Sequence, residues 1–131
     1  MKPFLFPIFF FVFAYGYGQS KDTSQDSLYT KPEIEPQFKG GMPAYIAFIK
    51  QHLTYPKKAA NEGITGKVVV EFVVEKDGTI TSPRLVNSLG YGCDEEVLRI
   101  VKLMPPWEPG QVDNHPVRAW KTLPVVFKIA K

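Results

Sequence analysis

The stretch Gly66-Lys67-Val68-Val69-Val70-Glu71-Phe72-Val73-Val74-Glu75-Lys76-Asp77-Gly78 decides the architecture. Val68, Val70, Phe72 and Val74 alternate with Lys67, Val69, Glu71, Val73 and Glu75. One strongly apolar face and one mixed face predict a half-buried strand over 67–75. Asp77-Gly78 is a hairpin signal, because glycine accepts the positive φ that tight hairpin turns require. The returning strand runs from Thr79 to about Val86. It contains Pro83, which has no N–H to give a ladder, so the segment is expected to be bulged or at an edge there.

Upstream of the hairpin, Pro43 suits the first turn of a helix. Met42, Tyr45, Ile46, Ile49 and Leu53 follow at i, i+3, i+4, i+7 and i+11, one face of an amphipathic helix. Pro56 ends it, and a second short helical piece over 56–61 is stopped by Gly63. Downstream, a helix is predicted from about Asp94 to Met104, with Asp94 as N-cap and Glu95 and Glu96 in the first turn. Val97, Leu98, Val101 and Met104 form its stripe, and Pro105-Pro106 terminates it. After a loop over 107–116 comes a last strand, with Val117, Ala119, Leu123, Val125, Phe127 and Ile129 on one side and Lys121 breaking the run. The order helix, hairpin, helix, strand predicts an α+β fold, a small antiparallel sheet with two helices packed on one face. About 95 ordered residues suffice for one modest core.

The whole chain has 131 residues, with 16 basic and 13 acidic side chains and a formal charge of +3. That length suits one domain. Charge so small and so dispersed is no footprint for nucleic acid. A single cysteine, Cys93, rules out a disulfide framework and a zinc site of several thiolates. It is expected to be a buried thiol, with an intermolecular link as the alternative. His52 and His115 have no ligand spacing, and no serine sits in a nucleophile elbow. The pairs Gly40-Gly41 and Gly90-Tyr91-Gly92 lack a phosphate-cradle fingerprint. These patterns predict a binding module, with no catalytic residues, no metal and no cofactor.

Six of the ten phenylalanines lie in the first thirteen residues, behind Lys2 and ahead of Gly16 and Gly18. A basic start, an apolar stretch of about eleven residues and then small residues predict a secretory signal peptide over 1–18, with maturation at Gln19. An uncleaved N-terminal anchor is the alternative; a spanning helix needs about twenty apolar residues. Residues 19–35 are polar and without period, and are expected to be a flexible tether to a domain over 36–131. The last strand carries Pro124, which argues for a sheet edge. In an exported domain without a catalytic set, such an edge suits strand addition by a partner peptide. Pro124 as a guard against aggregation fits equally well.

Several motifs follow one another in a fixed order along the chain: Gln37-Phe38-Lys39-Gly40-Gly41, Tyr55-Pro56 with Ala59 and Gly63, the 66–74 strand with Asp77-Gly78, and Ser88-Leu89-Gly90 before Asp94-Glu95-Glu96. Met104-Pro105, Trp107, Pro109-Gly110, Pro116-Val117 and Leu123-Pro124-Val125 with Phe127 continue the set. In this order and spacing the chain resembles, over roughly 36–128, the C-terminal domain of TonB proteins, in the version common in Bacteroidetes-type bacteria. The resemblance implies a periplasmic domain that captures an extended segment, the TonB box, of outer-membrane transporters, linked to TonB-dependent transport. The partner strand would add beside the last strand, here Val117, Arg118, Ala119, Trp120, Lys121, Thr122, Leu123, Val125 and Val126. Contacts are also implied for the residues around the Tyr-Pro motif, His52, Thr54, Tyr55 and Pro56. Energy-transducing members add a transmembrane helix that engages ExbB–ExbD, which applies here only if the leader is retained. The tether reaches at most about 60 Å when stretched, short for that task. A self-pairing homodimer is a further alternative.

Overall fold

The computed structural model describes residues 27–129. Along them run β1 (Leu28–Tyr29), α1 (Gly41–His52), α2 (Lys57–Asn61), β2 (Gly66–Val74), β3 (Ile80–Leu85), α3 (Cys93–Leu103), β4 (Gly110–Val112) and β5 (His115–Phe127). The leader and residues 19–26 of the tether lie outside the described residues. The sheet order is β1-β5-β2-β3, with β4 pairing β5 off this path. β2 is central. It pairs β5 antiparallel from Gly66–Phe127 to Val74–Ala119, and β3 antiparallel on its other side. The register between β2 and β3 shifts between Glu71 and Val73. Ser82 has φ 52, so the irregularity expected around Pro83 begins one residue earlier.

The alternation in β2 becomes the core. Val68, Val70, Phe72 and Val74 are completely buried, and they meet Leu123, Val125 and Phe127 of β5, Ala59 of α2, Val97 and Val101 of α3 and Tyr45 of α1 in one cluster. Each large apolar side chain so buried contributes about 1.5–3 kcal/mol. The opposite face is mixed, as the pattern predicts. There Val73 is nonetheless covered: Trp120 is its cross-strand partner, and the Arg84 guanidinium lies 4.6 Å from the Trp120 ring centroid.

The α+β reading holds: α1 and α3 are the two main helices, α2 is the short piece expected after Pro56, and the sheet is antiparallel except for the β1–β5 pair. Four details differ from the sequence reading. First, α1 is turned by about one residue. Tyr45 is buried and Phe48 and Ile49 pack on the core, whereas Met42 and Ile46 are 59% and 48% exposed. Second, α3 begins at Cys93, and the cap position is Gly92 with φ 88. Asp94 therefore sits inside the first turn. Its carboxylate accepts from the Ser88 hydroxyl and from the N–H groups of Leu89 (2.9 Å) and Gly90 (3.3 Å), tying the preceding loop to the helix. Ile100, not Leu98, joins Cys93, Val97 and Val101 on the buried side. Third, β5 starts at His115, and β4 precedes it across the Asp113-Asn114 turn, whose residues have φ 53 and 65. Fourth, Ile129, expected on the buried side of the last strand, is 40% exposed.

In residues 27–35, the described end of the predicted tether, Leu28, Tyr29 and Ile34 pair with the sheet strands. β1 lies parallel to β5, with Leu28 opposite Arg118 and Tyr29 opposite Ala119. Ile34 exchanges two main-chain bonds with Gln111, as Gln37 does with Glu108, all at 2.8–3.0 Å. Periodicity could not reveal this, because main-chain bonds to a neighbouring strand leave no mark on side-chain order.

On the outer face Arg118 Nε donates to Glu75 at 2.7 Å, and the Thr81 hydroxyl donates to the same carboxylate. The Arg118 hydrogen bond holds the Glu75 carboxyl below the usual range, and Arg99 does the same for Glu96. A depressed folded pKa gives stability that is present above the unfolded value and lost as pH falls through the folded one. The urea midpoint is therefore expected to drop between about pH 5 and pH 3. Glu75→Gln is expected to lower it at neutral pH and flatten that acid slope; a slope unchanged by Glu75→Gln would show that this carboxylate is not a source of it.

Candidate functional site

β5 has two edges, and main-chain bonding assigns its residues to them. The Lys67 carbonyl accepts from Asn87 Nδ2 (3.0 Å), and the Val69 carbonyl accepts from the Val86 N–H (2.8 Å). Both residues of β2 thus turn their polar groups toward the β3 side. Their partners on β5 are Val126 and Pro124. In an antiparallel ladder, pairs that exchange two hydrogen bonds alternate with pairs that exchange none. Lys67–Val126, Val69–Pro124 and, by the same alternation, Glu71–Thr122 are non-bonded pairs. The N–H and C=O groups of Thr122 and Val126, and the carbonyl of Pro124, therefore point away from β2.

Among the described residues, β1 occupies that outer edge at Arg118 and Ala119. Among the described residues no strand lies beside it from Lys121 to Phe127. The proline sits where its missing N–H costs the sheet nothing. Its carbonyl is met by α1: the buried Tyr45 hydroxyl donates to it at 3.2 Å. Burial pushes that hydroxyl up to about 12, so it remains a donor throughout the physiological range. The exposed edge thus offers two complete pairs of polar groups, at Thr122 and Val126, and one carbonyl already partnered.

The predicted strand residues divide accordingly. Thr122 and Val126 present main chain outward and side chains to solvent. Ala119, Leu123 and Val125 have buried side chains, and the main chain of Lys121, Leu123 and Val125 faces β2. Arg118 is engaged by Glu75, and Trp120 by Arg84. Val117 pairs with Gly110 of β4. Lys121 Nζ stands 3.7 Å from Glu35, whose side chain is 64% exposed.

The Tyr-Pro region adjoins the end of this strand. The Tyr55 ring meets Phe127 edge-on with centroids 5.6 Å apart, and its hydroxyl donates to the Ile64 carbonyl. Pro56 is the cap residue of α2. The linker before it is clamped by α3: the Thr54 N–H donates to Glu96 (2.7 Å), and Arg99 Nη2 donates to the His52 carbonyl (2.8 Å). Glu96 and Arg99 are themselves ion-paired at 2.7 Å. The His52 ring lies against Phe48 at a tilt of 38°, with centroids 4.4 Å apart. Tyr55 and Pro56 are thus half-buried at the end of β5 and the start of α2, while Thr54 is exposed.

Sequence reasoning did not find the contribution of Tyr45, which reads as one more residue of an apolar stripe, or the clamp by Glu96 and Arg99. The only available signal for the clamp was the i, i+3 acid–base spacing on the helix. Cys93 is fully buried, and burial, followed by the charges of Asp94, Glu95 and Glu96, pushes its thiol up. Among the described residues no group of His, Cys, Asp and Glu is placed to hold a metal ion. No helix there is long and apolar enough to cross a membrane.

The chain matches the family described as Gram-negative bacterial TonB protein C-terminal over residues 51–129. Among solved structures it is similar to the solution NMR structure of the Pseudomonas aeruginosa TonB CTD, at 31% identity and a TM-score of 0.44, over 60% of this chain and 79% of that one. None of the curated proteins matches it.

Proposed function

The chain belongs to the Gram-negative bacterial TonB protein C-terminal family, and from that premise we propose that it serves TonB-dependent transport by capturing extended segments of outer-membrane transporters through strand addition to β5. The observation that carries this reading is the exposed edge from Thr122 to Val126. Its outward N–H and C=O groups are the ones an added strand requires, and its proline removes a donor only on that side. The Tyr-Pro region has the role of fixing the end of β5 through Tyr55 and Phe127. The site of action is the periplasm, in keeping with the basic, apolar and then small residues of the leader.

Amide hydrogen exchange on the full chain tests the reading. A TonB-box peptide is expected to slow exchange at Thr122 and Val126, the two outward donors, while the already bonded amides of β2 change little. Protection elsewhere with these two unaffected would count against strand addition at this edge.

A further inference from the structure

On the helix side of the same edge lies an open-mouthed cavity of about 220 Å³, walled by Phe38, Met42, Tyr45, Trp107, Lys121 and Leu123. Its size falls below the roughly 300–1,000 Å³ of sites for whole small molecules. Its walls are largely apolar, with Gln37 and Lys121 as the polar side chains. Phe38 and Trp107 are held rigid by an edge-to-face contact at 5.5 Å, and Trp107 meets Phe72 in the same way at 5.3 Å. Met42 is the opposite case. It stands 59% exposed on a helix whose neighbouring Tyr45 is buried, an unbranched and adaptable wall of the kind found at binding surfaces.

The cavity's place relative to the ladder determines what enters it. Lys121 and Leu123, which line it, flank Thr122, whose main chain points outward. Side chains directly opposite one another in a pair of strands share a face. A residue of an added strand opposite Thr122 sends its side chain to the solvent face with that of Thr122. Its neighbours in sequence, opposite Lys121 and Leu123, must then send theirs to the helix face, where the cavity is.

We propose that this cavity is a side-chain subsite of the strand-addition edge, taking one aliphatic side chain of the captured segment. The proposal rests on the strand-addition reading above. An aliphatic group replaces water against Phe38, Met42, Trp107 and Leu123. A basic one is repelled by Lys121 at the wall, whose ion pair with Glu35 is long at 3.7 Å. Main-chain bonding at Thr122 and Val126 supplies affinity for any strand, and the cavity selects among strands.

The test uses the full chain and the peptides acetyl-Thr-Ser-Thr-Xaa-Thr-Ser-Thr-amide with Leu, Gly or Lys as guest, followed by NMR shifts of the Thr122 and Val126 amides and the Met42 methyl. The Leu guest is expected to move all three signals and to bind about tenfold tighter than Gly, with Lys weakest. Met42→Glu, at an exposed position, is expected to abolish the Leu preference without changing the melting curve. Equal binding of Leu and Gly guests, moving both amides but not the methyl, would overturn the subsite and leave strand addition standing. Silence of both amides toward the Leu guest but not toward a TonB-box peptide would also overturn it. Silence toward both would remove the edge reading itself.

Discussion

Gly78→Ala is expected to cost at least about 3 kcal/mol, a large part of the roughly 5–15 kcal/mol that holds a small domain together. Gly78 closes the β2–β3 hairpin: its N–H donates to the Glu75 carbonyl, and the Glu75 N–H donates to the Thr79 carbonyl, each at 2.8 Å. Two independent penalties meet there. Its φ is +90, a conformation that costs an L-residue about 1–2 kcal/mol. A methyl group would also stand 2.1 Å from the Trp107 carbonyl oxygen and 3.2 Å from the Trp107 nitrogen. That neighbour is backbone, and it is fixed by the bond its own N–H makes to the Gly78 carbonyl at 2.8 Å. Moving it shifts the indole that packs between Phe38 and Phe72. At about 4–8 °C per kcal/mol for a domain of this size, the melting temperature should fall by more than about 12 °C. Gly63→Ala is the matched control, because φ there is +67 but nothing lies within 4 Å. It should show the conformational penalty alone. Equal losses at the two positions would mean that the Trp107 contact does not matter.

The Asp-Gly pair announced that turn, and β2 announced the core, because both signals are local: alternation within one strand, and a dipeptide suited to positive φ. What escaped was relational. The apolar stripe of α1 predicts Met42 and Ile46 as core, yet Tyr45 turns inward and both of these remain exposed. The helix flanks the rim of β5 instead of lying across the sheet, as the Tyr45 bond to Pro124 shows. Nothing in its own period encodes that placement. Likewise β1 and β4, of two and three residues, are held by main-chain bonding and are too short to carry a period. For the candidate edge, Pro124 was the legible mark. Which groups of β5 face outward was not legible, since it depends on bonds between Lys67, Val69 and the segment after β3.

Those bonds make Val126→Pro a direct probe of capture. The Val126 N–H points away from β2, so the sheet loses no ladder bond when it is removed. Its side chain is 51% exposed, so no core volume is lost. The preceding Val125 lies within the strand, in the extended geometry that a following proline prefers. Stability should therefore change by less than about 1 kcal/mol. An arriving strand meets a different surface. Pro124 already offers no donor, so removing the one at Val126 leaves Thr122 as the single N–H between 122 and 126. One partner carbonyl is then stranded without a donor, at a cost of about 1–3 kcal/mol, which corresponds to binding of TonB-box peptides weakened about five- to 150-fold. Val125→Pro supplies the opposite result. Its N–H faces β2 and its side chain is buried, so that variant should lose fold stability and capture together. Titration of the full-length variants with a labelled TonB-box peptide, alongside their melting curves, separates the cases. A Val126→Pro chain that melts like the parent and still binds with parental affinity would show that the captured segment docks somewhere other than the edge of β5.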